Sequence, residues 1–339
     1  MPSKRSKKMT SPDPADDPYT TQAAVDVTRA ILGDEPRYTA DEVASASGVT
    51  LDQAQRLWRT LGFPQAEGAR VYTAGDTEAL STLGRVIDGG LIDYDIALNL
   101  TRALGQNMAR LADWEVSALA HRVEELSEER PGATRAEAAV ELFDELSEPF
   151  EELLLYVWRR HLAAAVSRIF ALGETDLDTT RLTVGFADIV SFTALSNEIS
   201  RGRIGDLVEV FESRCSDVVA NQHGRVIKSI GDSVLFVNDD PIRAYDTAEG
   251  IIKVIGRDSR MPDVRVGLAS GDVVMRLGDV FGPPVNMAAR LTAVARRNRI
   301  IIDATTAALL PADQFETRRL PARPVRGFGL IEPVAVRRH

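Results

Sequence analysis

The sequence predicts two parts, an all-helical N-terminal region and a C-terminal α+β domain. Three observations carry this. To about residue 172, apolar residues recur at helical spacing; from Arg181 onward, short alternating runs replace them. Between the two lies a polar linker, Gly173-Glu174-Thr175-Asp176-Leu177-Asp178-Thr179-Thr180. In the C-terminal part, strand-like and helix-like runs alternate. Val226-Ile227 and Val234-Leu235-Phe236-Val237 flank a tight Gly231-Asp232 pair, which reads as a hairpin. That mixture implies an antiparallel or mixed sheet with helices on its face, not a doubly wound one. The 339 residues favour two domains. The expected division is a disordered tail over 1–18, a helical domain over 19–149, a connecting helix and linker over 150–180, and the α+β domain over 181–339.

In order, the start is basic but no apolar stretch follows Lys8, so no signal peptide is expected. Residues 21–33 read as a helix stopping near Gly33. Thr39 with Glu42 three residues on forms a capping box, Gly48 suits a turn, and 51–61 carries Ala54, Leu57, Trp58 and Leu61 at helical spacing. This helix-turn-helix-like segment, with Val71-Tyr72-Thr73 and Asp76, is similar to the winged-helix unit of MerR-like regulators. Two readings stay open, DNA binding and a helical module reused for regulation. Arg56 and Arg59 alone are thin for phosphate contacts, which favours the module over DNA as a partner.

Residues 75–130 read as helical with a break at Gly89-Gly90, and 134–172 as one or two helices with a break near Pro149. Around Leu153-Leu154-Leu155-Tyr156-Val157-Trp158 the pattern is apolar nearly all round, so this connection is expected to pack on several sides or at a dimer interface. His161 within it reads as a surface or interface histidine. Beyond the linker, strands are expected near 182–187, 225–230, 233–238, 263–270, 272–277, 299–302, 315–320 and 328–336. Helices are expected near 191–200, 204–221, 240–256, 284–296 and 304–310. Strand, two helices, hairpin, helix, strand is a ferredoxin-like order. Gly267-Leu268-Ala269-Ser270-Gly271 lacks the lysine and spacing of a phosphate loop and reads as a strand end and turn.

Composition excludes several classes. No apolar run approaches 18 residues, so no membrane span is expected. The single Cys215 precludes an internal disulfide and suits a reducing cytoplasm. Four scattered histidines make no zinc site, and a net charge of −10 argues against a broad nucleic-acid surface. Lysine occurs only five times, three of them in the tail, so Lys228, four residues before Asp232, stands out in a chain that otherwise uses arginine.

The chemistry gathers in three stretches. In Phe186-Ala187-Asp188-Ile189-Val190-Ser191-Phe192-Thr193 a strand ends at a carboxylate; in Lys228-Ser229-Ile230-Gly231-Asp232-Ser233 a second carboxylate sits at a hairpin tip. If the strands are neighbours, two carboxylates project at one end of a sheet and suit Mg2+ or Mn2+ bridged to phosphate. The third stretch is Asp279-Val280-Phe281-Gly282-Pro283-Pro284-Val285-Asn286-Met287-Ala288-Ala289-Arg290.

Together, and in this order, the three stretches resemble the class III nucleotidyl cyclases over roughly residues 181–339. That resemblance implies that Asp188 and Asp232, with Ile189, hold two divalent metal ions, Mg2+ or Mn2+. It implies that the turn through Phe192 and Thr193 contacts substrate phosphate, that Lys228 and Asp279 read adenine and so select ATP, that Asn286 orients the ribose, and that Arg290 steadies the α-phosphate. It further implies a head-to-tail homodimer through the catalytic domains, with the metal aspartates from one copy and the other four residues from its partner. One departure stands out: Pro324-Val325-Arg326-Gly327-Phe328-Gly329-Leu330 lacks the family's triphosphate-binding lysine, leaving Arg326, Arg296, Arg297 or Arg299 as substitutes. The N-terminal half is similar, more loosely, to the autoinhibitory, pH-responsive module of soluble actinobacterial adenylyl cyclases, a module linked to fatty-acid binding; an apolar or fatty-acid ligand is therefore an expectation. Rival readings are a guanylyl or dual-specificity cyclase, and a DNA-binding or nucleotide-sensing regulator with a degenerate cyclase domain.

Overall fold

The computed structural model describes residues 22–64, 68–130, 132–171, 179–276, 278–325 and 327–339. The expected tail, most of the linker and Arg326 lie outside the described residues. Two compact units divide between Ser167 and Arg168.

The first unit is helical: α1 (Gln22–Leu32), α2 (Ala40–Ser47), α3 (Leu51–Leu61), α4 (Ala74–Asp88), α5 (Tyr94–Glu129) and most of α6 (Arg135–Ala171). Thr39 caps α2 through a complete capping box with Glu42, and Thr50 does the same for α3 with Gln53. Gly48 ends α2 in the left-handed region (φ 75), which favours glycine. Val43, Ala54, Leu57, Trp58 and Leu80 form the core, where Trp58 stacks on Tyr72 with ring centroids 4.2 Å apart. The expected break at Pro149 is absent, because α6 runs straight through it. Pro149 is exposed, and so is Glu145, whose carbonyl loses its helical donor. The connecting stretch does not pack on several sides either: Tyr156, Trp158, Leu162 and Phe170 are exposed.

The second unit is a mixed sheet with helices on both faces. Its elements are β1 (Thr179–Ile189), α7 (Phe192–Glu198), α8 (Arg201–Asn221), β2 (Arg225–Ile230), β3 (Ser233–Asn238), α9 (Pro241–Gly256), β4 (Val264–Arg276), β5 (Asp279–Phe281) and α10 (Pro283–Val294). There follow β6 (Ile300–Ile302), α11 (Ala304–Leu309), β7 (Phe315–Arg319), β8 (Arg323–Val325), β9 (Gly329–Ile331) and β10 (Val334–Arg338). The strand order is β2-β3-β1-β4-β6-β10-β7, with β5 on β4 and β8 paired with β9. All pairs are antiparallel except β4 with β6.

Alternation along the strands divides the core. One face buries Ala187, Ile189, Val234 and Phe236 against Phe211, Cys215 and Val219 of α8 and Ala248 and Ile251 of α9. The other buries Leu182, Val184, Leu235, Val237 and Ala269 against Ala288 and Leu291 of α10. Two expectations are corrected here. β4 is one strand through Gly271, which pairs with Leu182; a Cβ there would lie 2.9 Å from Pro284, so this glycine serves close packing of α10, not a turn. Conversely, the strand expected over 328–336 is split into β9 and β10 at Pro333, which has no N–H to donate to a ladder.

Candidate active site

Asp188 stands at the end of β1, directly opposite Ser233 on β3 and Arg265 on β4. Residues opposite one another share a face, and register places all three on the α10 side of the sheet. Both carboxylate oxygens of Asp188 are occupied. The Ser233 hydroxyl donates to Oδ1 at 2.5 Å, and Arg265 Nε donates to Oδ2 at 2.7 Å. A second Arg265 nitrogen lies 2.6 Å from Oδ2, and a third donates to the Ala293 carbonyl of α10 at 3.2 Å. Arg265 therefore ties the first carboxylate to the helix that follows β5.

Asp232 follows Gly231 (φ 60) at the tip of the β2–β3 hairpin, and its carbonyl accepts from the Ile189 N–H at 3.0 Å. The ends of β1 and of the hairpin are thus bonded together, as two neighbouring carboxylates require. Burial, and then the charge of Asp188, push the Asp232 carboxyl above the ordinary range; a backbone bond and Arg265 offset this in part. Two acidic groups sharing one nearby guanidinium form a hard-oxygen donor set suited to a divalent cation. Among the described residues no cluster of three or more His, Cys, Asp or Glu could hold a metal. Any ion at the aspartate pair therefore takes its other ligands from backbone, water or substrate.

Lys228 reaches its position by an irregularity. Val226 pairs with Phe236 and Lys228 with Leu235, so Ile227 is an extra residue, a β-bulge. Without it Lys228 would face α8 and α9; with it Lys228 shares the Leu235 face. There Nζ donates to Asp279 Oδ2 at 2.5 Å, the two side chains being 37% and 28% exposed. Burial works to raise the Asp279 carboxyl, but the Lys228 bond, the Val280 N–H and the Lys228 charge prevail and hold it below the usual carboxylate range.

The remaining expected residues make no hydrogen bond to these groups among the described residues. Asn286 and Arg290 are exposed, one turn apart on α10, and no hydrogen bond joins either to Asp188, Asp232 or the Lys228–Asp279 pair. Phe192 begins α7 and packs against the α8/α9 core, while Thr193 is exposed beside it. Sequence reasoning missed Arg265 and Ser233. The signal for Arg265 was a charged residue within the apolar run Val264-Arg265-Val266, but its meaning needs the β1–β4 register. Asp279 was found from sequence while its strand, β5, was not.

Comparison with known families agrees with this architecture. Residues 177–336 match the adenylate and guanylate cyclase catalytic domain, and residues 19–162 the adenylate cyclase regulatory domain. An adenylate cyclase of Streptomyces coelicolor is 36% identical, over 95% of this chain and 91% of its own length. A pH-sensitive adenylate cyclase of Mycobacterium tuberculosis is 32% identical, over 92% of this chain and 81% of its own. The solved structure of the adenylyl cyclase CyaB from P. aeruginosa aligns with 47% of this chain and 96% of its own, at 24% identity and TM-score 0.43. Full-length likeness to such relatives, with both domains matched in order, decides the matter: the chain belongs to the class III adenylate cyclases.

Proposed function

We propose that the chain converts ATP to 3′,5′-cyclic AMP and pyrophosphate at two equivalent sites of a homodimer, under control of its N-terminal domain. The observation that carries the reading is that register brings Asp188 and Asp232 to the joined ends of β1 and the hairpin, and the bulge at Ile227 turns Lys228 onto Asp279. One half-site is the Asp188–Asp232 carboxylate pair; the other is the Lys228–Asp279 pair with Asn286 and Arg290. A second copy, head to tail, completes each half with the other.

Asp188 and Asp232, with the Ile189 carbonyl, would hold two divalent ions, Mg2+ or Mn2+. Bound there, the ions supply Lewis-acid stabilisation of the 3′-oxygen and the triphosphate. Lys228 donates to adenine N1 and Asp279 accepts from the exocyclic amine. Guanine offers a carbonyl and an N1–H at those positions, so the pair prefers ATP. Asn286 orients the ribose so that its 3′-hydroxyl lies in line with the α-phosphorus, and Arg290 balances charge on the α-phosphate as the P–O bond to pyrophosphate breaks. The backbone through Phe192 and Thr193 contacts phosphate.

The helical unit sets the alignment of the two catalytic units through residues about 150–172, whose exposed Tyr156, Trp158, Leu162 and Phe170 need a partner surface. The relative described as pH-sensitive supports pH as one controlling variable. The test is cyclic AMP formation from ATP with Mn2+ across pH 5.5 to 8, by the full chain, by residues 173–339 and by Asp232→Ala. Product from the full chain that vanishes with Asp232→Ala is expected, as is a pH profile that changes when residues 1–172 are removed. Product that survives Asp232→Ala would remove the metal role, and an unchanged profile would remove the regulatory one.

A further inference from the structure

We propose that the helical unit carries a second ligand site, a groove between α3 and α5 that binds a small phosphorylated anion. A cavity of about 440 Å³ opens there, within the size range of small-molecule sites. Arg56 and Arg59 of α3 and Arg102 of α5 line it, with Thr60 and Gln106 as further polar groups.

What distinguishes it is the gathering of uncompensated charge: Arg85 and Arg110 of the same unit also form no ion pair among the described residues, but they stand singly beside Thr82 and Asn107, whereas three such arginines line this groove. Six arginines of the same unit, Arg29, Arg37, Arg70, Arg122, Arg130 and Arg135, are each ion-paired to a carboxylate. Among the described residues, none of the three groove arginines is, although the chain carries a net charge of −10. Two are held instead by neutral groups that position them without cancelling charge. The Arg56 guanidinium lies 5.9 Å from the Tyr94 ring centroid, and Arg102 donates to the Asn99 side chain at 3.1 Å. Burial, and then the charges of Asp52 and Asp95, push the Tyr94 hydroxyl up against the opposing pull of Arg56 and Arg59; neither carboxylate forms an ion pair with the groove arginines among the described residues.

The frame beneath the groove is fixed. Thr60 and Thr101 share a hydroxyl hydrogen bond of 3.0 Å across the crossing, and a Cβ on Gly105 would fall 2.2 Å from the Leu61 carbonyl oxygen. At this close crossing Arg56 and Arg59 project from one helix and Arg102 from the other. Three planar donor forks without counter-charge match an anion of two or three charges with tetrahedral oxygens, a phosphate monoester or diphosphate, better than a single carboxylate.

The probe is inorganic pyrophosphate, titrated calorimetrically into the full chain without divalent metal at low and at physiological salt. Saturable binding is expected, weakened roughly tenfold or more in Arg56→Gln/Arg102→Gln. It should be retained in Asp232→Ala, which lies in the other unit, and in Arg85→Gln/Arg110→Gln, which removes the same charge elsewhere on the helical unit. The groove variant is expected to keep its unfolding temperature and its Mn2+-supported activity. No saturable binding, equal weakening in the control pair, or saturable binding of tricarballylate as tight as that of pyrophosphate would each overturn the proposal. Binding of a short DNA duplex at physiological salt with none of pyrophosphate would overturn it in favour of a nucleic-acid surface.

Discussion

Asp188 shows how much one residue's function depends on its neighbours. Its two oxygens are fixed from β3 and β4, so the carboxylate is presented in one orientation before any ligand arrives. Ser233→Ala frees Oδ1, and the half-saturating Mn2+ concentration should rise by roughly tenfold, with Ser233→Thr close to the parent. Binding of Mn2+ followed by the resonance of the free ion, without ATP, separates this from a catalytic effect. On the proposed reading, Lys228→Ala removes a charge-assisted contact to the base. Its expected cost is about 1.5–3 kcal/mol, or roughly 10- to 150-fold in kcat/KM for ATP, with a smaller loss for GTP. Equal losses for both nucleotides would count against the base-reading role. The sequence made these residue types legible through lysine scarcity and two carboxylates beside turns. Arg265 was not legible, because its partner is set by a pairing 77 residues away.

At the scale of elements, the sheet depends on close approach by α10. A Cβ on Gly267 would fall 2.4 Å from the Thr292 backbone nitrogen and 2.5 Å from the Ala288 carbonyl oxygen, so helix and strand cannot both keep their places. Gly267→Ala should cost about 1–3 kcal/mol, lower the Tm by roughly 2–10 °C, and reduce activity by displacing Asn286 and Arg290. The link between α8 and the end of α9 is electrostatic. Arg260 and then Arg214 hold the Asp258 carboxyl well below the usual carboxylate range. Because its folded pKa is depressed, Asp258 contributes stability above the ordinary aspartate pKa, and that stability is lost as pH falls through the depressed value. Asp258→Asn should therefore melt below the parent at pH 7, with the gap closing in acid. A gap of equal size in acid would mean that packing, not ionisation, is what the substitution removed. Helix ends in the first unit were readable from capping boxes, and most strands from alternation. Gly271 misled because glycine signals both a turn and close packing. Pro149 misled because a proline on an exposed helix face is tolerated.

In the whole molecule, the proposed reading draws each site from two chains. Dimerisation would then be a condition of activity and would give the helical unit a means of control through alignment alone. Two inactive variants should then repair each other. Asp232→Ala spoils one half-site and Arg290→Ala the other, so each alone should give no cyclic AMP. Mixed in equal amounts after dissociation and reassociation, half the dimers are mixed and each has one intact site, so about a quarter of the parent activity should return. A mixture that stays inactive, although differently tagged chains show that mixed dimers have formed, would contradict the composite site and confine each catalytic centre to a single chain.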